Sequence, residues 1–393
     1  MGLRNTVSGG LSLVHSASAS GSPALRPKVV YLIGARSHVP RLAPVMAALE
    51  RRGIFHQVLV DADDHAGGYI WPTVTADFDL EPPDHEIHSG EGTETQRTAR
   101  LLTACEEVLI KERPDLVVVV GDHMSSLACS LVAGKLGVPI AHIESGLRVW
   151  DWSLSDEINR TLTDRLSDTL FTHSTGAAAN LTAEGVVDGR VHAVGNTLVD
   201  ALRQALSRGR RRTPWQAFGV EAHDYVLVAL NRSANVRDNP KRLREIAAAI
   251  RSLAAETPVI LSLKPDAHAG IHRSEIVSDL VAAGVHMVEP MGYTDFVALE
   301  AGAGAIVTDS GSVQEEASAL GVSCFTLRET SERPITLTHG TNVLLGEDPA
   351  EIAAVRPSQR PPTPAAIPLW DGHAGERVAD VLVANYALLS TAT

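Results

Sequence analysis

The feature that most constrains this chain is a repeated one: short runs of aliphatic and β-branched residues that stop abruptly at a glycine or a polar side chain. The first half holds three, Val29-Val30-Tyr31-Leu32-Ile33-Gly34, Leu116-Val117-Val118-Val119-Val120-Gly121-Asp122 and Pro139-Ile140-Ala141-His142-Ile143-Glu144. The second half repeats the form at Tyr225-Val226-Leu227-Val228-Ala229-Leu230, at 258–263 and at Ala305-Ile306-Val307-Thr308-Asp309. Runs without polar alternation fit strands buried on both faces, and that occurs where helices cover a parallel sheet. Segments of helical spacing lie between them, with Val45, Met46 and Leu49 in the first and residues 125–135 and 241–255 in others. The expected fold is therefore α/β: two Rossmann-like, doubly wound domains facing one another across a cleft.

A basic, proline-containing stretch at 208–214 reads as the interdomain linker. The expected divisions are a disordered tail at 1–27, rich in Ser, Ala and Gly, a first domain at 28–205, a second at 215–368, and a final helix at 369–393 packing back on the first domain. A net charge of −13 disfavours a general nucleic-acid binder, since phosphate contacts need concentrated positive charge. No stretch approaches the roughly 18 consecutive apolar residues of a membrane span, so no membrane partner is expected. Cys105, Cys129 and Cys324 lie far apart and offer neither a metal-ligand spacing nor a disulfide framework. A cytoplasmic location, with no metal, follows as the expectation.

In open parallel sheets, ligands sit beyond the carboxyl ends of the strands. Gly34-Ala35-Arg36-Ser37-His38 lacks the G-x-G-x-x-G of a dinucleotide site. Asp309-Ser310-Gly311-Ser312 leads from a strand into a helix, where unpaired amides and the helix dipole suit a phosphate. Ser310 and Ser312 add hydroxyl donors and Gly311 permits close approach; a helix cap alone is the competing reading. Glu315 and Glu316 point about 100° apart on that helix, and Glu316 is the candidate acceptor for a ribose diol. The polar turn at 327–334 places Arg328 or Arg333 against a diphosphate or an acidic partner, or leaves them solvated.

The candidate proton carriers of the first half are Asp122 and Glu144 at strand ends and Glu157 in Ser155-Asp156-Glu157-Ile158-Asn159-Arg160. Clustered carboxylates drive one another's pKa values apart, so one can donate and another accept near neutral pH. Arg148 in Ile143-Glu144-Ser145-Gly146-Leu147-Arg148 suits a bent loop under a substrate, and Arg36 is a second cation at the same rim.

Together with Val194-Gly195-Asn196-Thr197, Thr163-Asp164 and Asp371-Gly372-His373-Ala374, these segments resemble the non-hydrolysing UDP-N-acetylglucosamine 2-epimerases, from about Lys28 to Leu389. The resemblance implies the two-domain glycosyltransferase-B architecture, a homodimer, a UDP-sugar ligand, and no cofactor. It also implies elimination of UDP across C1 and C2, then reprotonation of the resulting glycal at C2 on the other face. The family's catalytic carboxylates map onto Asp122, Glu144 and Glu157, its phosphate and ribose contacts onto Ser310, Gly311 and Glu316, and its first-loop arginine onto Arg36.

Several positions depart from the family pattern. Where the family has G-H-R-R-E-N, this chain has Leu230-Asn231-Arg232-Ser233-Ala234-Asn235, so Asn231 replaces the histidine expected near the diphosphate. Lys264-Pro265 stands for its H-P, His38 for its first-loop acid and Gly121-Asp122-His123 for its G-D-T. Stabilisation of the leaving diphosphate then moves to Arg232, Lys264 or another group. Four activities fit: 2-epimerisation of UDP-N-acetylglucosamine, transfer of its sugar to a nitrogen or oxygen of a small-molecule acceptor, hydrolysis, and binding without turnover.

Overall fold

The computed structural model describes residues 26–62, 75–187, 189–232, 235, 239–263, 275–289, 291–358 and 363–387. The first sheet is built from β1 (Lys28–Ile33), β2 (His56–Asp61), β3 (His85–Glu86), β4 (Leu116–Val120), β5 (Ile140–Ile143), β6 (Thr169–Thr172) and β7 (Val191–Ala193). All of its pairs are parallel, in the order β3-β2-β1-β4-β5-β6-β7. The second holds β8 (Val226–Leu230), β9 (Val259–Leu263), β10 (His286–Val288), β11 (Ala305–Thr308), β12 (Cys324–Thr326) and β13 (Asn342–Leu344), again parallel, in the order β10-β9-β8-β11-β12-β13. The uninterrupted apolar runs are the central strands: every residue of β4 and β8 is buried.

The helices of the first lobe are α1 (Val39–Arg52), α2 (Glu94–Glu112), α3 (Met124–Leu136), α4 (Ser155–Leu166), α5 (Thr175–Ala183) and α6 (Thr197–Arg208). Those of the second are α7 (Pro240–Ala254), α8 (Glu275–Ala282), α9 (Tyr293–Gly302), α10 (Gly311–Leu320) and α11 (Pro334–Thr338), followed by α12 (Ala374–Tyr386). Their starts are written in local chemistry. Thr93 and Gln96 close a capping box on α2, Asn196 Oδ1 accepts the Leu198 amide of α6 at 3.0 Å, and Asn239 caps α7 just before Pro240. By contrast α10 begins at Ser310 with no side-chain cap, which leaves its first amides to another partner.

One apolar cluster runs through both lobes, joining Leu198, Ala201 and Leu202 of α6 to Tyr293 and Val297 of α9 and Ala317 of α10. The strand order reverses between β1 and β4 in one sheet and between β8 and β11 in the other. Ligands of open α/β sheets bind at such switch points, so the two crevices supply the opposed walls of one cleft. The closing helix α12 returns to the first lobe. Its Tyr386 hydroxyl lies 2.7 Å from Thr169 Oγ1, and Asp200 accepts its Gly375 amide at 2.7 Å.

Candidate functional site

Each switch point delivers its own side chains. After β1 come Arg36, His38 and Arg41; after β4, Asp122 and His123; after β5, Glu144. The second lobe delivers Asn231 and Arg232 after β8 and Asp309, Ser310 and Gly311 after β11. Asp309 is fully buried and accepts the amides of Asn231 at 2.7 Å and Arg232 at 3.1 Å and the side-chain amide of Asn235 at 2.8 Å. The two loops at the β8–β11 crevice are thereby tied together by one carboxylate.

Between the lobes stands a square of alternating charge. Arg41 of the first lobe contacts Glu144 at 2.9 Å and Glu315 of the second at 2.9 Å. Arg333 of the second lobe contacts the same two carboxylates, Glu144 at 2.6 Å and Glu315 at 2.9 Å. Burial pushes the Glu144 carboxyl up, but Arg41 and then Arg333 outweigh it and hold the group well below the usual carboxylate range. Glu315, deeper still, remains raised by burial despite the same two cations. Glu144 is aimed by a left-handed backbone, φ 69°, which costs a non-glycine residue on the order of 1–3 kcal/mol and is retained where surrounding contacts compel it. Arg333 leaves no room for a side chain at Gly311, where a Cβ would lie 2.2 Å from its Nη1.

Asp122 pairs with Arg160 and borders the cleft beside Asp156. Desolvation in the cleft, then the Asp122 carboxylate, push Asp156 up to about 6, against the pull of Arg160 and, from the facing lobe, Arg232. Glu157 turns inward instead. Its carboxylate accepts the amides of Val149 at 3.0 Å and Trp150 at 2.8 Å and contacts Arg160 Nη1 at 3.2 Å, so it anchors the 149–150 loop. His38 is buried and accepts the Gly34 amide at 3.2 Å; burial, then His123 and Arg41, push it down to about 3, so it is neutral. His123 caps α3 through Nδ1, which accepts the Ser125 amide at 3.3 Å. On the second lobe, Glu316 accepts the Tyr293 hydroxyl at 2.8 Å, and burial lifts its carboxyl to about 7.

A family model described as UDP-N-acetylglucosamine 2-epimerase matches residues 47–383. The UDP-N-acetylglucosamine 2-epimerase of Methanocaldococcus jannaschii is 35% identical over 362 residues, 90% of this chain and 98% of the relative. The chain belongs to the UDP-N-acetylglucosamine 2-epimerase family. The solved structure of the M. jannaschii enzyme with UDP-GlcNAc and UDP superposes with a TM-score of 0.82, at 34% identity, covering 91% of this chain and all of that one. Breadth within the family is marked by the Pseudomonas aeruginosa UDP-2,3-diacetamido-2,3-dideoxy-D-glucuronate 2-epimerase, 34% identical over 81% of this chain and 88% of that protein. The two facing Rossmann-like lobes expected from the strand pattern, and the glycosyltransferase-B architecture that the resemblance implied, are observed.

Within this epimerase-family scaffold, the expected site residues Asp122, Glu144, Arg36, Asn231, Arg232, Ser310, Gly311, Ser312, Glu316 and Arg333 gather at the two facing crevices. Arg36 spans the lobes by donating to the Met291 carbonyl. Arg148 is turned away, gripped by Asp164 at 2.8 Å and Glu184 at 2.6 Å. Asp164 also contacts His142 at 2.7 Å and accepts the Gly146 amide at 3.1 Å, so much of the 142–148 motif serves to brace its own turn. Lys264, with Ser233 and Ala234, lies outside the described residues.

Arg41, Asp156 and His173, left without a role by the sequence motifs, stand among these groups, and so does Glu315, passed over there in favour of Glu316. His173 follows β6 as Glu144 follows β5, and the same strand-end rule reaches it; it is buried 3.7 Å from Glu315, with burial and then Arg333 holding it down at about 4. Arg41 shares a helical phase with buried Val45 and Ala48 of α1, and a cation on an apolar stripe is a legible signal. A cavity of about 410 Å³ lies behind the linker, among Leu206, Arg210, Trp215 and Ala298, and contains none of these groups.

Proposed function

We propose that this chain epimerises UDP-N-acetylglucosamine at C2, with Asp122, Glu144 and Asp156 working on the sugar while the second lobe holds UDP. The observation that carries the reading is the opposition of these acids to the uncapped start of α10 across one cleft. First-turn amides, Ser310 and Ser312 receive the diphosphate, and Glu316 accepts from the ribose diol. Asn231 has no charge to offer a leaving diphosphate, so Arg232 and Arg333 supply it.

Inversion at C2 needs one group to take the proton and another to return it to the opposite face. A carboxylate removes the C2 proton as the C1–oxygen bond breaks; UDP departs with the bonding pair and a C1–C2 double bond remains. Return of a proton to C2 from the other side, with the UDP oxygen closing again on C1, gives the manno isomer. Asp156, lifted to about 6, exchanges a proton readily near neutral pH, whereas Glu144, pinned between two guanidinium groups, stays ionised. Asp156 thus takes the part that the sequence motif assigned to Glu157, whose oxygens are committed to the 149–150 loop.

The test is incubation with UDP-N-acetylglucosamine in heavy water, followed by proton NMR. Deuterium at C2 together with the manno isomer is the expected result. Free UDP and free sugar without the isomer indicate hydrolysis, and inertness until an acceptor is added indicates transfer; either overturns the proposal.

A further inference from the structure

Helix α9 carries a carboxyl group that takes no part in the proposed epimerisation. Glu300 is fully buried, two helical turns along from Tyr293, and both residues meet Glu316 of α10. Among the described residues neither oxygen of Glu300 accepts a hydrogen bond. The two tyrosine hydroxyls beside it are already committed, Tyr293 to Glu316 Oε1 at 2.8 Å and Tyr225 to the Leu299 carbonyl at 2.5 Å. Cys324 on β12, also close by, keeps its thiol proton, since burial pushes its pKa up to about 12. Among the described residues no cation pairs with Glu300. Arg36 and Arg41 from the first lobe bear on Glu316 instead, as does Glu315 beside it.

An ionised carboxylate sealed from water with no donor is among the costliest arrangements in a protein. A neutral carboxyl in the same place turns from acceptor into donor, and the acceptor in reach is Glu316. We propose that Glu300 is a positioning residue for nucleotide binding: it keeps its proton and donates a hydrogen bond to Glu316, which with the Tyr293 hydroxyl holds Glu316 ionised and aimed at the ribose. The assignment of the ribose to Glu316 belongs to the function proposed above, and this inference rests on it.

Two donors on the inner side of Glu316 leave its outer lone pairs to the diol. Two carboxyls sharing one proton cannot both ionise cheaply. Raising the pH until that proton leaves therefore sets two carboxylates against each other and loosens the clamp. Burial, and then Glu316 itself, hold Glu300 well above the ordinary carboxylate range, so the loss falls on the alkaline side.

The test measures UDP affinity by calorimetry from neutral to alkaline pH for the wild type, Glu300→Gln and Glu300→Leu, beside the infrared difference spectrum of wild type minus Glu300→Gln. Ionisation of uracil affects all three proteins alike. Glutamine keeps a donor and the shape, so it should bind UDP within about threefold of wild type at neutral pH and should lack the wild type's extra alkaline loss. Leucine removes the donor and should bind about tenfold more weakly. The spectrum should show the carbonyl stretch of a protonated carboxyl. Absence of that band at neutral pH overturns the proposal, as do superimposable pH profiles for wild type and the glutamine variant. A band accompanied by unchanged affinity in Glu300→Leu overturns the positioning role; if Glu316→Ala also leaves UDP affinity unchanged, the failure lies in the ribose assignment.

Discussion

Asp156 and Glu157 are neighbours on α4 with opposite assignments, and exchanging each for its amide separates them. Glu157 accepts two backbone amides and an arginine contact in a buried position. Glutamine offers one oxygen in place of two and turns an NH2 group toward an N–H. Hydrogen bonds to a charged group contribute about 1.5–3 kcal/mol each, and losing the equivalent of two costs about 3–6 kcal/mol. For a lobe of this size each kcal/mol moves the melting temperature by about 2–4 °C, so Glu157→Gln should melt on the order of 10 °C lower. Any turnover it loses should follow disorder of the 149–150 loop and appear chiefly in KM.

Asp156 opens to the cleft and, among the described residues, has no comparable set of donors. Asp156→Asn should lower kcat by about 10²- to 10⁴-fold, the usual worth of a positioned proton carrier. Its stability should not fall. Because the folded pKa is raised to about 6, the stability tied to the protonated form is present below the ordinary aspartate range and is lost as pH rises through about 6. A neutral asparagine escapes that loss and should melt at or above wild type at neutral pH. Differential scanning fluorimetry and steady-state kinetics on the two variants decide the matter. A Glu157→Gln protein with wild-type melting and a collapsed kcat, or an Asp156→Asn protein with near-normal kcat, refutes the assignment.

Glu144→Gln should abolish turnover while leaving UDP affinity, read by calorimetry, within a few fold, because Glu144 meets cations rather than the nucleotide; a large loss of UDP binding contradicts its role. Glu316→Ala should weaken UDP binding by about 1–3 kcal/mol, and unchanged affinity removes it from the ribose site. In the wild type, kcat/KM should rise with pH through a limb near 6 as Asp156 ionises. The Asp122 carboxylate pushes that pKa up, so the residual activity of Asp122→Asn should show its limb at lower pH; a limb that stays in place argues against coupling of the two acids.

Those assignments also explain what the amino-acid order could and could not disclose. The sheets were legible because central parallel strands must be apolar on both faces, and β4 and β8 are continuous runs of Val, Leu and Ala. The strand-end acids Asp122 and Glu144 followed from that, since once a strand's end is known the position of the crevice is known. The phase of α4 was hidden for the opposite reason. Its inward face is Glu157, Arg160, Thr163 and Asp164, all polar and buried, while Ile158 and Leu162 stand 36% and 43% exposed. Hydrophobic periodicity therefore points to the wrong face, and only the loop amides and Arg160 reveal which carboxylate turns inward. The same holds for the charge square. Arg41, Glu144, Glu315 and Arg333 are separated by up to 292 positions, and an ion network assembled from two lobes has no local spacing for a reader to find. What the chain's order encodes is each lobe's crevice; the charge square exists only where the two crevices meet.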